Sequence, residues 1–384
     1  MRILFITGEY PPQPGGIGDY TQRLAQALTH AGHEALILTA AQRRWQLWRS
    51  TGAGDEALVA PGGRAGWDVT TALRLARLIH RIQPDWCHIQ YQTGAYGMQI
   101  GINFLPLLLR RARIATAITY HDLLPPYLFP KAGIVRDWVT LLPARTASAV
   151  IATNPEDEMV LRSAGLQPRF IPIGANIEPM LPPNFDRATW RSRLGVAADE
   201  ALIGYFGLLS PGKGVDVLLD LVATHPGWRL LIIGGAATAP TDRAYAATVQ
   251  QRIATALGDR VIITGHIAPD QVSAHLSACD IVALPFRDGA SLRRGSLLAA
   301  LAHGCVVVTT PPTSAATAAS LAEAVQFATA QPEAIATAIE TLLANPTSRA
   351  RLGAAARAVA HRFNWTAIAA AHLDLYRAPH PRIG

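Results

Sequence analysis

The chain has 384 residues, 50% of them hydrophobic and only 16% charged, with a formal net charge of +7. That composition supplies material for more than one buried core and excludes an intrinsically disordered chain. The positive balance suits an anionic small molecule or an anionic membrane surface, whereas no basic helix or Arg/Lys–aromatic cluster speaks for nucleic acid.

Cys87, Cys279 and Cys305 lie far apart in apolar surroundings, without metal-ligand spacing, and read as reduced core residues of a cytosolic protein. Met1-Arg2 runs directly into a β-like segment and then into Glu9 and prolines, which is no signal-peptide pattern.

In chain order, residues 2–7 (RILFIT) predict a first parallel strand. The loop 8–18, GEYPPQPGGIG, follows; Gly15 and Gly16 open backbone conformations closed to other residues. Residues 19–31 have helical periodicity, and a Gly-rich turn at a helix start admits a phosphate or a sugar to bare backbone N–H groups, or is simply a tight β-to-α turn. The dinucleotide fingerprint GxGxxG is absent here. Residues 34–39 give a second strand, 40–66 loop and short elements, 69–81 an amphipathic helix and 85–90 a strand. The apolar stretch 100–109 is too short to span a bilayer and contains Asn103 and Pro106. Its end, Arg110, Arg111 and Arg113, suits anionic lipid or the solvated tip of a core helix. Residues 115–120 form a strand with His121-Asp122 at its carboxyl end, where open α/β sheets bind ligands. A helix (136–147), a strand (149–153) and an acid-rich helix start (154–158) close this half, and 179–186 (PMLPPNFD) reads as a linker.

A second series begins with strand 201–206. It leads into GLLSPGKG, where Lys213 enters a helix from a Gly/Pro turn, well placed for a phosphate, although no P-loop is matched. Strands follow at 229–233 and 260–264; His266 stands just past the second and is a weaker site candidate. The most informative stretch is 281–310, a strand–loop–helix–strand unit. Its loop carries Arg293 and Arg294, with Ser296 as expected N-cap and Gly304 as helix stop. Helices at 333–344 and 348–361 and a last amphipathic helix to about residue 376 complete the chain. Two β/α series predict an α/β protein of two doubly wound, Rossmann-like parallel-sheet domains facing across a cleft.

These segments, in this order and spacing, resemble the GT-B glycosyltransferases, specifically the retaining nucleotide-sugar group called family 4. GEYPPQPGGIGDYTQRLAQAL is similar to that family's N-terminal glycine loop and first helix, Tyr120-His121-Asp122 to its His at a strand end, and GYFGLLSPGKGVDVLL to its donor loop. TGHIAPDQVSAHLSACDIVALPF with HGCVVVTT is similar to its donor-site core. The resemblance implies an acceptor-side domain (1–178), a linker (179–186), a donor domain (187–362) and a C-terminal helix (363–384) crossing back onto the first domain. It implies His121 and Lys213 as catalytic residues, and Gly15, Gly16, Gly207, Lys213, Arg293, Arg294, Gly295, Ser296 and Leu297 as donor or phosphate contacts. Glu9, Asp122, His266 and Asp288 are further candidates; Glu9 suits sugar hydroxyls better than general-base work. The pattern also departs from the family. Leu208 stands where Arg is common, and, aligned on Gly304, Ser291 and Ala299 stand where the Glu-x7-Glu signature has its glutamates. Asp288-Gly289 is an alternative to the first Glu with an altered loop length.

The expected reaction is retaining transfer of a sugar from a nucleotide-diphosphate sugar to an acceptor hydroxyl of a glycan or lipid-linked acceptor, in cell-surface glycan or glycolipid synthesis. The expected cofactor list is empty: no metal, because no DxD motif or His/Asp cluster is present to hold one. The expected location is cytoplasmic or at the inner face of the cell membrane. The rival expectation is a catalytically impaired nucleotide-sugar-binding homologue acting as a partner subunit. A nicotinamide-dependent dehydrogenase is disfavoured by the missing fingerprint, and a nucleotide-sugar epimerase by the lack of placeable carboxylates.

Overall fold

The computed structural model describes residues 1–384 apart from 14, 60–61, 124–132, 176, 237–239 and 379–384. Pro14 of the glycine loop and Asn176 therefore lie outside the described residues. The chain divides into two compact units, Met1–Gly174 with Trp365–Gly384, and Ala175–Asn364.

The first unit runs β1 (Arg2–Thr7), α1 (Gly16–His30), β2 (Glu34–Ala41), β3 (Arg44–Ser50), β4 (Asp55–Leu58), α2 (Val69–Ile82), β5 (Trp86–Tyr91), α3 (Gly101–Arg111), β6 (Thr116–Tyr120), α4 (Gly133–Thr146), β7 (Ala149–Ala152), α5 (Pro155–Ser163) and β8 (Arg169–Phe170). Its sheet order is β4-β3-β2-β1-β5-β6-β7-β8. β5 and β6 are buried at every residue, as strands covered by helices on both faces must be. α1 turns Ile17, Tyr20, Leu24 and Leu28 inward and Asp19 outward, the 3.6-residue stripe that the sequence displays.

Residues 40–66, expected as loop and short elements, contain two short antiparallel strands: β3 pairs with β2 and β4 with β3. The two-residue β2–β3 turn uses Gln42 and Arg43 at φ 49° and 60°. Such a turn usually announces itself with Asn-Gly or Asp-Gly, and here no glycine marks it.

The second unit runs α6 (Arg187–Arg193), β9 (Ala201–Phe206), α7 (Val215–Thr224), β10 (Trp228–Ile233), α8 (Pro240–Arg252), β11 (Val261–Ile263), α9 (Pro269–Ala278), β12 (Ile281–Leu284), α10 (Gly295–Ala302), β13 (Val307–Thr309), α11 (Ala315–Leu321), β14 (Val325–Phe327), α12 (Pro332–Ala344) and α13 (Pro346–Ala360). Its parallel sheet has the order β11-β10-β9-β12-β13-β14. The step from β10 to β12 on either side of β9 is a topological switch point, where such sheets open a crevice at the strand carboxyl ends. The Pro-rich 179–186 stretch is held within this unit: the Met180 N–H donates to Ser273 Oγ at 3.1 Å, and Asp186 caps α6 by accepting from the Thr189 N–H at 2.8 Å. Buried Arg191 fastens α6 to the sheet through Asp280 Oδ2 (2.9 Å) and the Ala278 carbonyl (3.1 Å).

The last helix, α14 (Trp365–Arg377), groups with the first unit. Trp365, Ile368, Ala369, Leu373 and Tyr376 join the core cluster that holds Phe5, Tyr20 and Leu24. Among the described residues no helix is long and apolar enough to cross a membrane.

Candidate functional site

In the second unit, β9 ends at Phe206 and Gly207 takes φ +137°. A Cβ built on Gly207 would stand 3.4 Å from Lys213 Nζ, 3.6 Å from the Tyr205 hydroxyl and 3.7 Å from Ser296 Cβ. The absent side chain is therefore the space on which an ammonium, a phenol and the start of α10 converge. Lys213 reaches it from the 3₁₀ turn Pro211–Lys213. Gly214 follows at φ +69°, so close to the Pro285 carbonyl that a Cβ would lie 2.2 Å from the oxygen. Burial lowers the pKa of Lys213, and the Arg294 guanidinium lowers it further. Two cations are thus brought together, a costly arrangement that an anion between them relieves.

Arg294 is held in place. Its guanidinium stacks over the Phe286 ring at 4.4 Å from the centroid and pairs with Asp288. Arg293 is exposed, whereas Arg294 is half-buried. α10 begins at Gly295 with Arg294 at the N-cap position, and no side chain caps it. Ser296 is therefore inside the first turn, not its cap as expected. This leaves the first-turn N–H groups of Gly295, Ser296 and Leu297 without intrahelical partners, pointing the way an anion is bound. Gly304 does end the helix in the left-handed region, at φ +67°.

Sequence reasoning missed Arg287. Its N–H donates to the Gly212 carbonyl (3.0 Å), its Nε to the Pro211 carbonyl (3.1 Å), and its guanidinium pairs with Asp216. It clamps the Lys213 turn to the loop that carries Arg294. Leu208 is 47% exposed. Ala299 is fully buried in α10, so no carboxylate is offered from the position of the second family glutamate. His266 is exposed past β11, two strands from β9, and among the described residues no contact joins it to Lys213 or Arg294.

In the first unit, His121 stands at the carboxyl end of β6. Its Nε2 is 2.9 Å from Gln90 Oε1, and its ring meets Tyr20 edge-on with centroids 4.8 Å apart. Burial, and then nearby His372, lower its pKa to about 3, so the imidazole is neutral at physiological pH. Asp122 accepts from Gln92 Nε2 at 2.5 Å. The sequence neighbours His121 and Asp122 thus have separate partners, and Gln90, two strand positions before Gln92, orients the imidazole.

The glycine loop also differs from the expectation of a phosphate on bare amides. Glu9 Oε1 accepts from the N–H groups of Ile17 (2.9 Å) and Gly18 (3.4 Å) in the first turn of α1. A Cβ at Gly15 would stand 2.1 Å from the Glu9 carboxyl carbon. Gly15 makes room for a side chain of its own protein, and only Gly16 faces open space.

Two family models match the chain, one within each unit: "Glycosyl transferase 4-like domain" over residues 15–174 and "Glycosyl transferases group 1" over residues 186–359. The chain is 31% identical over 248 residues to the D-inositol 3-phosphate glycosyltransferase of Xylanimonas cellulosilytica, spanning 61% of this chain and 57% of that protein. It is 28% identical to the GDP-mannose-dependent alpha-(1-6)-phosphatidylinositol monomannoside mannosyltransferase of Mycolicibacterium smegmatis, over 92% of each chain. Among solved structures, the sucrose-phosphate synthase of Thermosynechococcus elongatus shares its fold (TM-score 0.74, 23% identity, 98% of each chain). So does Anabaena HepE in complex with UDP and glucose (TM-score 0.72, 21% identity, 99% of this chain and 100% of that one). With one glycosyltransferase model on each parallel-sheet unit and this fold throughout, the chain belongs to the GT-B glycosyltransferases.

Proposed function

We propose that the second unit binds the diphosphate of a nucleotide-sugar and that the chain transfers the sugar, with retention and without a metal ion, to a hydroxyl of a glycan or lipid-linked acceptor. The observation that carries this reading is the convergence of Lys213, the Tyr205 hydroxyl and Ser296 on the space left by Gly207, with the Arg294 charge felt at Lys213 and the first turn of α10 open beside it. A departing nucleoside diphosphate develops negative charge, and preorganised cations and N–H donors stabilise it most where water is scarce. Neutral His121 suits contact with the transferred sugar or with charge arising on it. The relatives' names, one an inositol phosphate glycosyltransferase and the other a phosphatidylinositol mannoside mannosyltransferase, support a role in glycolipid or cell-surface glycan synthesis. Exposed Met98 and Ile100 on the approach to α3, and exposed Arg110, Arg111 and Arg113 at its end, support peripheral contact with an anionic inner membrane face.

The test is a thermal-shift screen of nucleoside diphosphates, followed by turnover of the labelled nucleotide-sugar of the best base. Turnover that survives a chelator, gives a product with the donor's anomeric configuration and is lost in His121→Ala is the expected result. Diphosphate binding without turnover of any donor would instead favour a catalytically impaired partner subunit. Ser291 and Ala299, standing where the family has its glutamates, are the observation behind that second reading.

A further inference from the structure

The loops that follow the central strands of the two sheets differ in charge. In the second, Lys213 borders the Gly207 space and the loop after β12 carries Arg287, Arg293 and Arg294, with Asp216 paired to Arg287 and Asp288 to Arg294. In the first, the described loops after β1, β5, β6 and β7 carry Glu9 and Asp122 and no Lys or Arg, and the first turns of α1 and α5 add Asp19, Glu156, Asp157 and Glu158. Exposed Arg43 and Arg44 at the β2–β3 turn and exposed Arg64 after β4 stand at the outer strands of this edge, and Lys131 and the side chain of Arg136 lie outside the described residues. His121 brings no positive charge, because it is neutral.

At the glycine loop the anion seat that α1 offers is already filled. The N-terminal amides of α1 hold the Glu9 carboxylate through Oε1, and Gly15 leaves that carboxylate the room it needs. Among the described residues Glu9 Oε2 takes no hydrogen bond, which leaves a charged acceptor atom for an incoming O–H donor. A hydroxyl gains a charge-assisted bond there, while a phosphate meets like charge at the place where the helix would otherwise hold it. We propose that Glu9 sets acceptor specificity: the group bound at the α1 N-terminus is an uncharged sugar or polyol hydroxyl, and phosphate monoesters are rejected. This rests on the reading of the chain as a glycosyltransferase and separates it from the relative whose name specifies an inositol phosphate acceptor.

The experiment is calorimetric titration of D-myo-inositol 3-phosphate and of myo-inositol into the full chain. It is run with the nucleoside diphosphate of the thermal-shift screen at saturation, so that Lys213 and Arg294 are occupied. Glu9→Ala is expected to bind the phosphate ester at least tenfold more tightly than the wild type, because it bares the amides of Ile17 and Gly18. A smaller gain overturns the proposal. An unchanged circular dichroism spectrum and thermal unfolding of both transitions in Glu9→Ala report that the variant, its first unit included, is folded. Should that variant fail to fold, the wild type decides alone, over the pairs myo-inositol with its 3-phosphate, glucose with glucose 6-phosphate, and fructose with fructose 6-phosphate. No ester is expected to bind more tightly than its parent, and one that does overturns the proposal. Failure to bind any nucleoside diphosphate would sink the glycosyltransferase reading itself, a result distinct from either acceptor outcome.

Discussion

The guanidinium of Arg294 lies 4.4 Å above the ring centroid of Phe286, which is fully buried, and it is also paired with Asp288. A long side chain that would be mobile on a surface is thereby held in place, near enough for its charge to lower the pKa of Lys213. Its neighbour Arg293 is exposed. Arg294→Ala should weaken nucleoside diphosphate binding by roughly 10- to 100-fold, the scale of a lost charge-assisted hydrogen bond of about 1.5–3 kcal/mol. Arg293→Ala should leave affinity within about threefold, as expected for an exposed charge. Titration calorimetry on both variants checks the pair; equal losses would contradict the assignment.

Lys213 gives a second expectation, on pH. Its pKa is lowered by burial and by Arg294, so the ammonium that grips phosphate exists only below a pKa under the ordinary lysine value of 10.5. Diphosphate affinity should therefore fall as pH rises, and begin to fall before a free lysine would titrate. Lys213→Arg, whose guanidinium stays charged, should flatten that fall over the same range. Affinity measured from pH 7 upward in both proteins reads this out.

Gly214 carries a structural prediction. Its φ of +69° suits glycine, and a Cβ would lie 2.2 Å from the Pro285 carbonyl oxygen. Gly214→Ala combines left-handed strain with overpacking and should cost about 2–5 kcal/mol of stability. Denaturant titration measures it. Because the Lys213 turn is the part displaced, diphosphate affinity should drop in the fraction that folds.

The interface under α14 predicts acid sensitivity. His88 is fully buried between the Tyr376 hydroxyl (2.5 Å) and Thr119 Oγ1 (2.7 Å), with its pKa pushed well down by burial and by His372 and His121. Burial brings His372 down to about 4 and His121 to about 3, against 6.5 for an ordinary histidine. Folding depresses all three, so below about pH 6.5 the unfolded chain binds more protons than the native one, and stability falls as pH falls. Each histidine contributes a slope of about 1.4 kcal/mol per pH unit until its native pKa is reached. Urea unfolding at pH 7.5 and 5.5 should show the loss before most carboxylates titrate, and His372→Gln should reduce the slope.

Trp365 tests the attachment of the last helix. It is 6% exposed, its ring lies 5.3 Å from that of Tyr20, and a Cβ on Gly174 would come within 2.6 Å of its indole. Trp365→Ala should cost about 3–5 kcal/mol. Because Tyr20 also supports the His121 ring, turnover should fall more than diphosphate affinity does.

Much of the fold could be read from residue order. The apolar runs at Arg2–Thr7, Ala201–Phe206 and Ile281–Leu284 and the periodic segment at Val69–Ile82 are strands and helix near where local pattern puts them. The strands are continuous apolar runs buried on both faces, and the helix buries the one face that its period displays. The β2–β3 hairpin was not legible, because Gln42 and Arg43 adopt positive φ through the pairing of the flanking strands and carry no glycine signal. Short α6 and α11 were likewise hidden, since each depends on a single side-chain cap, Asp186 and Ser314.

For the site, the sequence alone determined which residue types were on hand: a glycine loop, a histidine past a strand, a lysine in a Gly/Pro turn and two adjacent arginines. Only the tertiary structure decided what each does. It chose Arg294 over Arg293 by giving one of them an aromatic ring to rest on, and it gave His121 to Gln90 instead of Asp122. It also placed the Glu9 carboxylate, eight residues from Ile17, on the amides that local pattern had left open to a ligand. Side-chain reach and burial set these outcomes, and they depend on distances across strands and loops that spacing along a chain does not encode.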